Sequence, residues 1–145
     1  MTVTVNGLEE IKALAGRDLG PGEWLEITQE RVNTFADATD DHQWIHVDPE
    51  RAKDGPFGTT IAHGYLTLSL IIPLFSRLLE IKGVRMSINY GLDRVRFPSP
   101  VKVGSRIRLA GKVVSVEEVA GNGVQMVLDF TVEVEGSDKP ACVAR

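Results

Sequence analysis

The three histidines of this 145-residue chain fall in two short stretches, Ala38-Thr39-Asp40-Asp41-His42-Gln43-Trp44-Ile45-His46-Val47-Asp48 and Ala62-His63-Gly64. Imidazoles and carboxylates gathered beside apolar Trp44 and Ile45 suit general acid–base work, because partial desolvation brings their pKa values towards neutrality, where proton transfer is efficient. A solvated polar loop would carry the same residues, and spacing alone does not separate the two readings. Metal ligation fits less well. His42 and His46 are four apart with Asp40, Asp41 and Asp48 nearby, but a zincin helix needs Glu directly after its first histidine, where Gln43 stands. Asp48-Pro49 also starts a new helix and interrupts any continuous ligand-bearing one. Nucleophilic chemistry has weaker support still: Cys142 lies in a strand pattern, no serine occupies a Gly-x-Ser-x-Gly elbow, and neither a phosphate loop nor a dinucleotide fingerprint occurs.

The flanking elements must hold this segment in place. Thr28 can cap a helix with Glu30 in its first turn, and Val32, Phe35, Ala36 and Thr39 recur at helical spacing, which predicts a helix ending near Thr39. Residues 40–47 follow neither helical nor alternating period and read as a loop. Asp48-Pro49-Glu50 restarts a short helix. After Gly55, Pro56 and Gly58, residues 63–79 form a helix whose leucines and isoleucines cover nearly every face, so the pattern predicts burial on all sides, with a kink at Pro73. Upstream, residues 11–15 read as a short helix, Pro21-Gly22 as a turn and residues 24–27 as a short strand.

From Val84 the period becomes two. Val84, Met86, Ile88, Tyr90 and Leu92 share one face, then Val95 and Phe97 take the other parity, so the pattern predicts a strand with a bulge near residues 92–94. A second strand carries Ile107, Leu109 and Val113, Asn122-Gly123 flanks a hairpin turn, a third runs through Met126, Leu128, Phe130, Val132 and Val134, and a last short one covers residues 141–144. The expected fold is an α+β domain over residues 1–145, an antiparallel sheet curled around a long central helix.

Composition narrows the function classes. The chain has 16 basic and 20 acidic side chains, a net charge of −4, 43% hydrophobic residues and one cysteine. A domain of this size buries roughly 68–70% of its unfolded surface and needs no disulfide. Average charge and apolar content argue against disorder, and mild acidity offers no general attraction to nucleic acid or an anionic membrane. The N-terminus lacks a basic region followed by an unbroken apolar run, so a cytoplasmic location is expected. The longest apolar stretch, residues 64–75, is shorter than the about 20 residues that span a bilayer. Charge is uneven along the chain: residues 1–60 hold 12 of the 20 carboxylates, while residues 82–112 hold 8 of the 16 basic side chains and one acid, Asp93.

The segment Phe35-Ala-Asp-Ala-Thr-Asp-Asp41-His-Gln-Trp-Ile45-His46, followed by Asp48-Pro49 and Ala52, resembles the motif of the MaoC-like family of R-specific enoyl-CoA hydratases, whose usual core is Gly-Asp-x-Asn-Pro-(Ile/Leu)-His. Ile61-Ala62-His63-Gly64-Tyr65-Leu66 resembles that family's entry into its central helix, and Phe97-Pro98-Ser99-Pro100-Val101-x-x-Gly104 its strand-to-strand turn. The match covers roughly residues 25–115, and Gln-Trp in place of Asn-Pro is similar to a subgroup typified by nodulation protein N.

The resemblance implies a hot-dog fold and an Asp41/His46 catalytic pair that holds one water and adds it syn across a trans-2-enoyl thioester. It further implies Gly64 as an oxyanion donor at the helix start and Gln43 as the group that orients the water or Asp41. Trp44, Phe57, Tyr65 and Leu66 are candidates to line an acyl pocket, with plain core or interface as the other reading, while His63 reads as a helix-start packing residue, with a third polar group facing the substrate as its alternative. Arg94 and Arg96 belong to an acid-free stripe that is either a solvated face or a surface for the CoA phosphates. Acyl-CoA is then substrate, no cofactor or metal is needed, and no nucleic acid or membrane partner is expected. The length suffices for one hot-dog unit, so a homodimer is expected. Asp40 stands where the family has Gly, and its carboxylate is expected to face solvent. Two other readings remain. A hot-dog thioesterase could use Thr67 or Ser69, and a non-catalytic thioester-binding module could use the same groove. A carrier-protein dehydratase would need an acid on the central helix, and residues 64–79 have none.

Overall fold

In the computed structural model, which describes residues 1–145, the chain runs β1 (Val3–Asn6), α1 (Gly7–Lys12), β2 (Asp18–Leu19), β3 (Leu25–Glu26), α2 (Gln29–Thr39), α3 (Trp44–Val47), α4 (Pro49–Ala52), α5 (Gly64–Ser76), β4 (Leu79–Lys82), β5 (Val95–Arg96), β6 (Arg106–Val119), β7 (Gly123–Val134) and β8 (Cys142–Ala144). The β6–β7 hairpin is the spine. It closes through Gly121 and Asn122, both left-handed at φ 84° and 58°, a conformation these two residue types tolerate best. The sheet continues in the order β2-β6-β7-β8-β5, with β3 also on β6, while β1 and β4 form a separate parallel pair.

Helix α5 packs against β4, β6, β7 and β8. Its Leu66, Leu70, Ile71 and Leu74 join Ile107, Leu109, Val113, Val132 and Cys142 in one buried cluster that also takes Ile27 and Val32 from the front of the chain. This is the helix-in-sheet arrangement expected of a hot-dog fold. No helix is long and apolar enough to cross a membrane.

Several expected boundaries shift, each for a physical reason. The central helix stops at Ser76 rather than near Leu79, because Leu79 begins β4 and pairs with Val3. Nor is it covered on every face: Tyr65 and Ile72 are 71% and 49% exposed. The first helix starts at Gly7 and ends at Lys12, ahead of a turn through left-handed Gly16. The loop expected over residues 40–47 contains one helical turn, α3.

The largest correction concerns residues 84–94, which form no strand. Met86, Ile88, Tyr90 and Leu92 point outward, 56–86% exposed, because no other segment of the chain lies alongside to complete a ladder. The expected bulge at residues 92–94 is absent from this non-strand segment. The hairpin's register shift falls between Val113 and Ser115 instead. Pairing resumes only at the end of the segment, where Asp93 N–H donates to the Arg145 carbonyl at 2.7 Å and Arg145 N–H to the Arg94 carbonyl at 2.9 Å.

The basic stripe divides. Arg106 pairs with Glu135 across the hairpin, and Arg108 with Glu133 while its guanidinium lies 4.4 Å over the Trp24 ring. Arg94, Arg96 and Lys102 are exposed and make no ion pair.

Ile107 is fully buried at the open end of the spine, where it pairs with Val134. Ile107→Ala is expected to lower the unfolding free energy by about 2–5 kcal/mol through lost apolar contact and a residual cavity. Urea denaturation with an unchanged slope and a reduced midpoint would register it.

Candidate functional site

Three short segments build the site, and each is shaped locally by its sequence. Helix α2 is capped by Thr28, whose Oγ1 accepts the Arg31 N–H at 3.1 Å. It ends at Asp40, in the left-handed region with φ 58°. That residue reverses the chain and delivers Asp41. The glycine usual at this point of the motif supplies the same backbone conformation, which aspartate also tolerates. The Asp40 side chain is exposed, as expected.

Gln43 then caps α3, and its carbonyl accepts the His46 N–H at 3.0 Å. The tight turn aims His46 inward, where it is 7% exposed. Its Nδ1 lies 2.7 Å from the Ile61 carbonyl. Since that carbonyl only accepts, Nδ1 carries the proton and Nε2 is left with a lone pair. Burial disfavours the imidazolium and holds the His46 pKa below its ordinary 6.5; His63 pushes the same way, while the Ile61 carbonyl and Asp41 oppose.

Two residues that the sequence did not single out lock this turn. Gln29, the first residue of α2, donates from Nε2 to the His46 carbonyl at 2.7 Å and to Asn33 Oδ1 at 2.9 Å. Its Oε1 accepts from Thr60 Oγ1 at 2.6 Å. Thr60 is 1% exposed, and its carbonyl takes the Val103 N–H at 3.0 Å. The Ile61 N–H donates to the Ile45 carbonyl at 3.0 Å. Helix α2, α3 and the approach to α5 are thereby stapled through one glutamine. A lone Thr or Gln carries no motif, so only the contacts identify these residues.

His63 precedes α5. It is 3% exposed, its ring stacks on His46 with centroids 3.9 Å apart and planes at 22°, and its Nε2 lies 3.0 Å from the Asp41 main-chain carbonyl. Donor atoms of Asp41, His46 and His63 all fall within 4.8 Å of one another. Asp41 is exposed, with the Gln43 N–H 3.5 Å from its Oδ1. Gly64 opens α5, so its N–H has no intrahelical acceptor and stands at the positive end of the helix dipole. A Cβ there would meet the Phe97 ring at 3.3 Å, so glycine lets that ring lie close against the helix start.

A water hydrogen-bonded to two groups bridges a gap of about 5–5.5 Å, so one water can touch the Asp41 carboxylate and an imidazole nitrogen together. The stack also bears on metal binding. Two imidazoles on one ion at metal–nitrogen distances of about 2.0–2.1 Å, with a near-tetrahedral angle, hold their ring centres about 5 Å apart. At 3.9 Å the two stacked rings lie closer than that.

The other candidates scatter. Gln43 is exposed, and its side chain makes no cap bond. Trp44 is half-buried beneath the Arg51 guanidinium, 4.4 Å from its ring, and against Gly55. Phe57 is half-buried. Tyr65 is largely exposed and meets Phe97 edge-on, with centroids 6.3 Å apart. Arg94 and Arg96 are exposed, and Arg96 donates to the neighbouring Val95 carbonyl at 2.8 Å. Thr67 is buried, and the Ser69 hydroxyl is spent on the Tyr65 carbonyl at 2.7 Å.

The family model described as "MaoC like domain" matches residues 10–135. The chain is 57% identical over 141 residues to 3-hydroxyacyl-thioester dehydratase Z of Mycobacterium tuberculosis, covering 97% of this chain and 93% of that protein. It is 48% identical over 142 residues to nodulation protein N of Rhizobium leguminosarum bv. viciae, covering 94% and 86%. Among solved structures, the monoamine oxidase regulatory protein from Archaeoglobus fulgius superposes with a TM-score of 0.79 at 25% identity, covering 97% of this chain and 92% of that one.

Thr60→Val keeps the side-chain volume but leaves Gln29 Oε1 without its donor. The unfolding free energy is expected to fall by about 1–3 kcal/mol, the cost of an unmet partly buried acceptor. A loss below about 0.5 kcal/mol in urea denaturation would show that this bond does not brace the site.

Proposed function

Because the chain belongs to the MaoC-like domain family and is a hydro-lyase of the hydratase–dehydratase type, we propose that it reversibly hydrates trans-2-enoyl-CoA to R-3-hydroxyacyl-CoA, with Asp41 and His46 as the catalytic pair. The observation that carries this reading is the His46 ring, whose Nδ1–H is committed to the Ile61 carbonyl so that Nε2 keeps its lone pair, with a nitrogen of the ring within 4.8 Å of an Asp41 carboxylate oxygen.

Asp41 orients the water by accepting one of its hydrogens, and His46 Nε2 takes the other as the water oxygen bonds to C3. The C2–C3 π pair moves onto C2 and the thioester carbonyl, and the Gly64 N–H meets the developing oxyanion. His46 then returns the proton to C2 and the enolate collapses. One O–H bond breaks, one C–O and one C–H bond form, and a single pair working from one face makes the addition syn. Dehydration is the same path reversed. The proton balance closes on these groups without a metal or cofactor. The thioesterase reading finds no equivalent support, since Thr67 is buried and the Ser69 hydroxyl is already bonded within α5.

The homodimer belongs to the same proposal. Met86, Ile88, Tyr90 and Leu92 form an outward apolar row that continues from edge strand β5. A second copy presenting the same segment would complete the ladder and cover the row. Arg94 and Arg96, free of ion pairs next to Phe97 on the helix start, are the cations available for CoA phosphates.

Crotonyl-CoA followed through its enoyl-thioester absorbance tests the activity. Turnover is expected, whereas release of free CoA would establish a thioesterase. Asp41→Asn and His46→Gln should each cost at least about 10²-fold in kcat. Because the base must be neutral and burial lowers its pKa, the acid limb of kcat/KM should be centred below pH 6.5. A limb centred above 6.5 would refute His46 as the base. In a separate test, Ile88→Asp combined with Tyr90→Lys is expected to shift the sedimenting species to a single chain. An unchanged dimer would place the interface elsewhere.

A further inference from the structure

His63 occupies the residue before α5, yet its side chain makes no capping bond to that helix. Helix-start packing alone would be served by any apolar side chain of similar size. An imidazole there instead makes two contacts that an apolar residue could make only in part. Its Nε2 reaches back 22 residues to the Asp41 main-chain carbonyl at 3.0 Å, and its ring is wedged between His46, with centroids 3.9 Å apart, and Phe35, with centroids 4.8 Å apart.

The tautomers follow from the partners. The Asp41 carbonyl only accepts, so His63 Nε2 carries the hydrogen, and in the neutral ring Nδ1 keeps a lone pair. That Nδ1 is buried and has no hydrogen-bond partner. A buried polar atom left unmet opposes folding, so an apolar residue would serve better if packing were the whole purpose. The two stacked rings carry opposite tautomers: His46 has its hydrogen on Nδ1 towards Ile61, and His63 on Nε2 towards Asp41. One member of the catalytic pair is therefore held through its main chain and the other through its ring face, by the same side chain.

We infer that His63 is a positioning residue for the hydration reaction: its Nε2–H pins the Asp41 backbone while its ring fixes the plane of His46, so the start of α5 sets the separation of carboxylate and base. The inference rests on the Asp41/His46 reading above. The titratable groups acting on His46 are Asp41, from the turn after α2, and His63 itself. Its other close partners, Gln29 of α2 and Ile61 before α5, are uncharged.

Two variants divide the contacts. His63→Phe keeps a ring on His46 and loses the donor to Asp41, and His63→Gln keeps an N–H and loses the stack. With crotonyl-CoA each is expected to lower kcat by about 10–10²-fold, with KM changing less than about threefold, because misplacement of reacting groups falls on the chemical step. In His63→Gln the His46 titration, followed by 1H–15N histidine spectra and assigned by its loss in His46→Gln, should move up towards 6.5, since both the neighbouring imidazole and the apolar cover are removed. Folded variants with kcat within about twofold of wild type, or an unmoved His46 titration, would overturn the inference.

The wild-type spectrum decides independently of any variant's folding. His63 is expected as the Nε2–H tautomer and His46 as the Nδ1–H tautomer, and a His63 protonated on Nδ1 alone would overturn the assignment. A wild type that shows no turnover would defeat the proposed hydratase activity, while the tautomer and titration results would still decide whether His63 positions the pair.

Discussion

The site depends on one hydrogen bond between main chain and ring, from His46 Nδ1 to the Ile61 carbonyl at 2.7 Å. It joins a four-residue helix too short to be stable by itself to the strand-like approach of the central helix. The reciprocal bond, Ile61 N–H to the Ile45 carbonyl at 3.0 Å, makes the join two-point. Ile61 is in turn held against the sheet: the Ala62 N–H reaches the Val101 carbonyl at 2.8 Å, and Val103 N–H reaches Thr60. The orientation of one imidazole is thus anchored to the segment that leads into β6, and through β6 to the hairpin and the buried cluster. A neutral, directed Nε2 is the chemical result of that chain of contacts.

Electrostatics divides the molecule along similar lines. The strands carry their charges in compensated form, Arg106 and Arg108 against Glu135 and Glu133, and Arg145 as a two-pronged pair on Asp129 at 2.7 and 2.8 Å. At half-exposed positions such pairs contribute modestly to stability, but they remove those cations from the supply available to an anionic ligand. Arg94, Arg96 and Lys102 make no ion pair, and Arg96 adjoins Phe97, which lies on Gly64. The buried Cys142 thiol, its pKa raised to about 11 by burial, is packed in the core.

Helices α2 and α4, which flank the site, were legible because their signals are local, whereas the single turn of α3 between them reads as loop in the sequence. Thr28 caps α2, Asp48 accepts the Arg51 N–H at 3.1 Å, and Pro49 opens α4. The Asn122 turn and the alternation through Val132 likewise located the hairpin to within a residue. What failed was the partner of an alternating segment. Residues 84–92 have the period of a strand, and period reports which side chains share a face, not whether a neighbouring backbone exists. Within one copy that neighbour is missing, so the apolar face is left outward. Gln29 and Thr60 were illegible for a related reason. Their importance lies in meeting each other across 31 residues, and neither residue type announces a distant partner.

The motif departures resolve by separating backbone duties from chemical ones. The position before Asp41 requires a left-handed residue, and Asp40 fills it at φ 58° with its carboxylate in solvent. Trp44, where the family usually has proline, is the first residue of α3. Proline suits such a position because φ is preset and no intrahelical acceptor exists for its N–H. Tryptophan loses that presetting, but its ring is clamped between Arg51 and the Gly55 backbone, so packing immobilises the turn instead. Gln43 holds α3 through its carbonyl rather than its amide. All three substitutions thus fall where the motif specifies chain geometry. Asp41 and His46, the carboxylate and imidazole of the motif, stand unchanged, and a different set of local devices still brings ligating atoms of the two within 4.8 Å of each other.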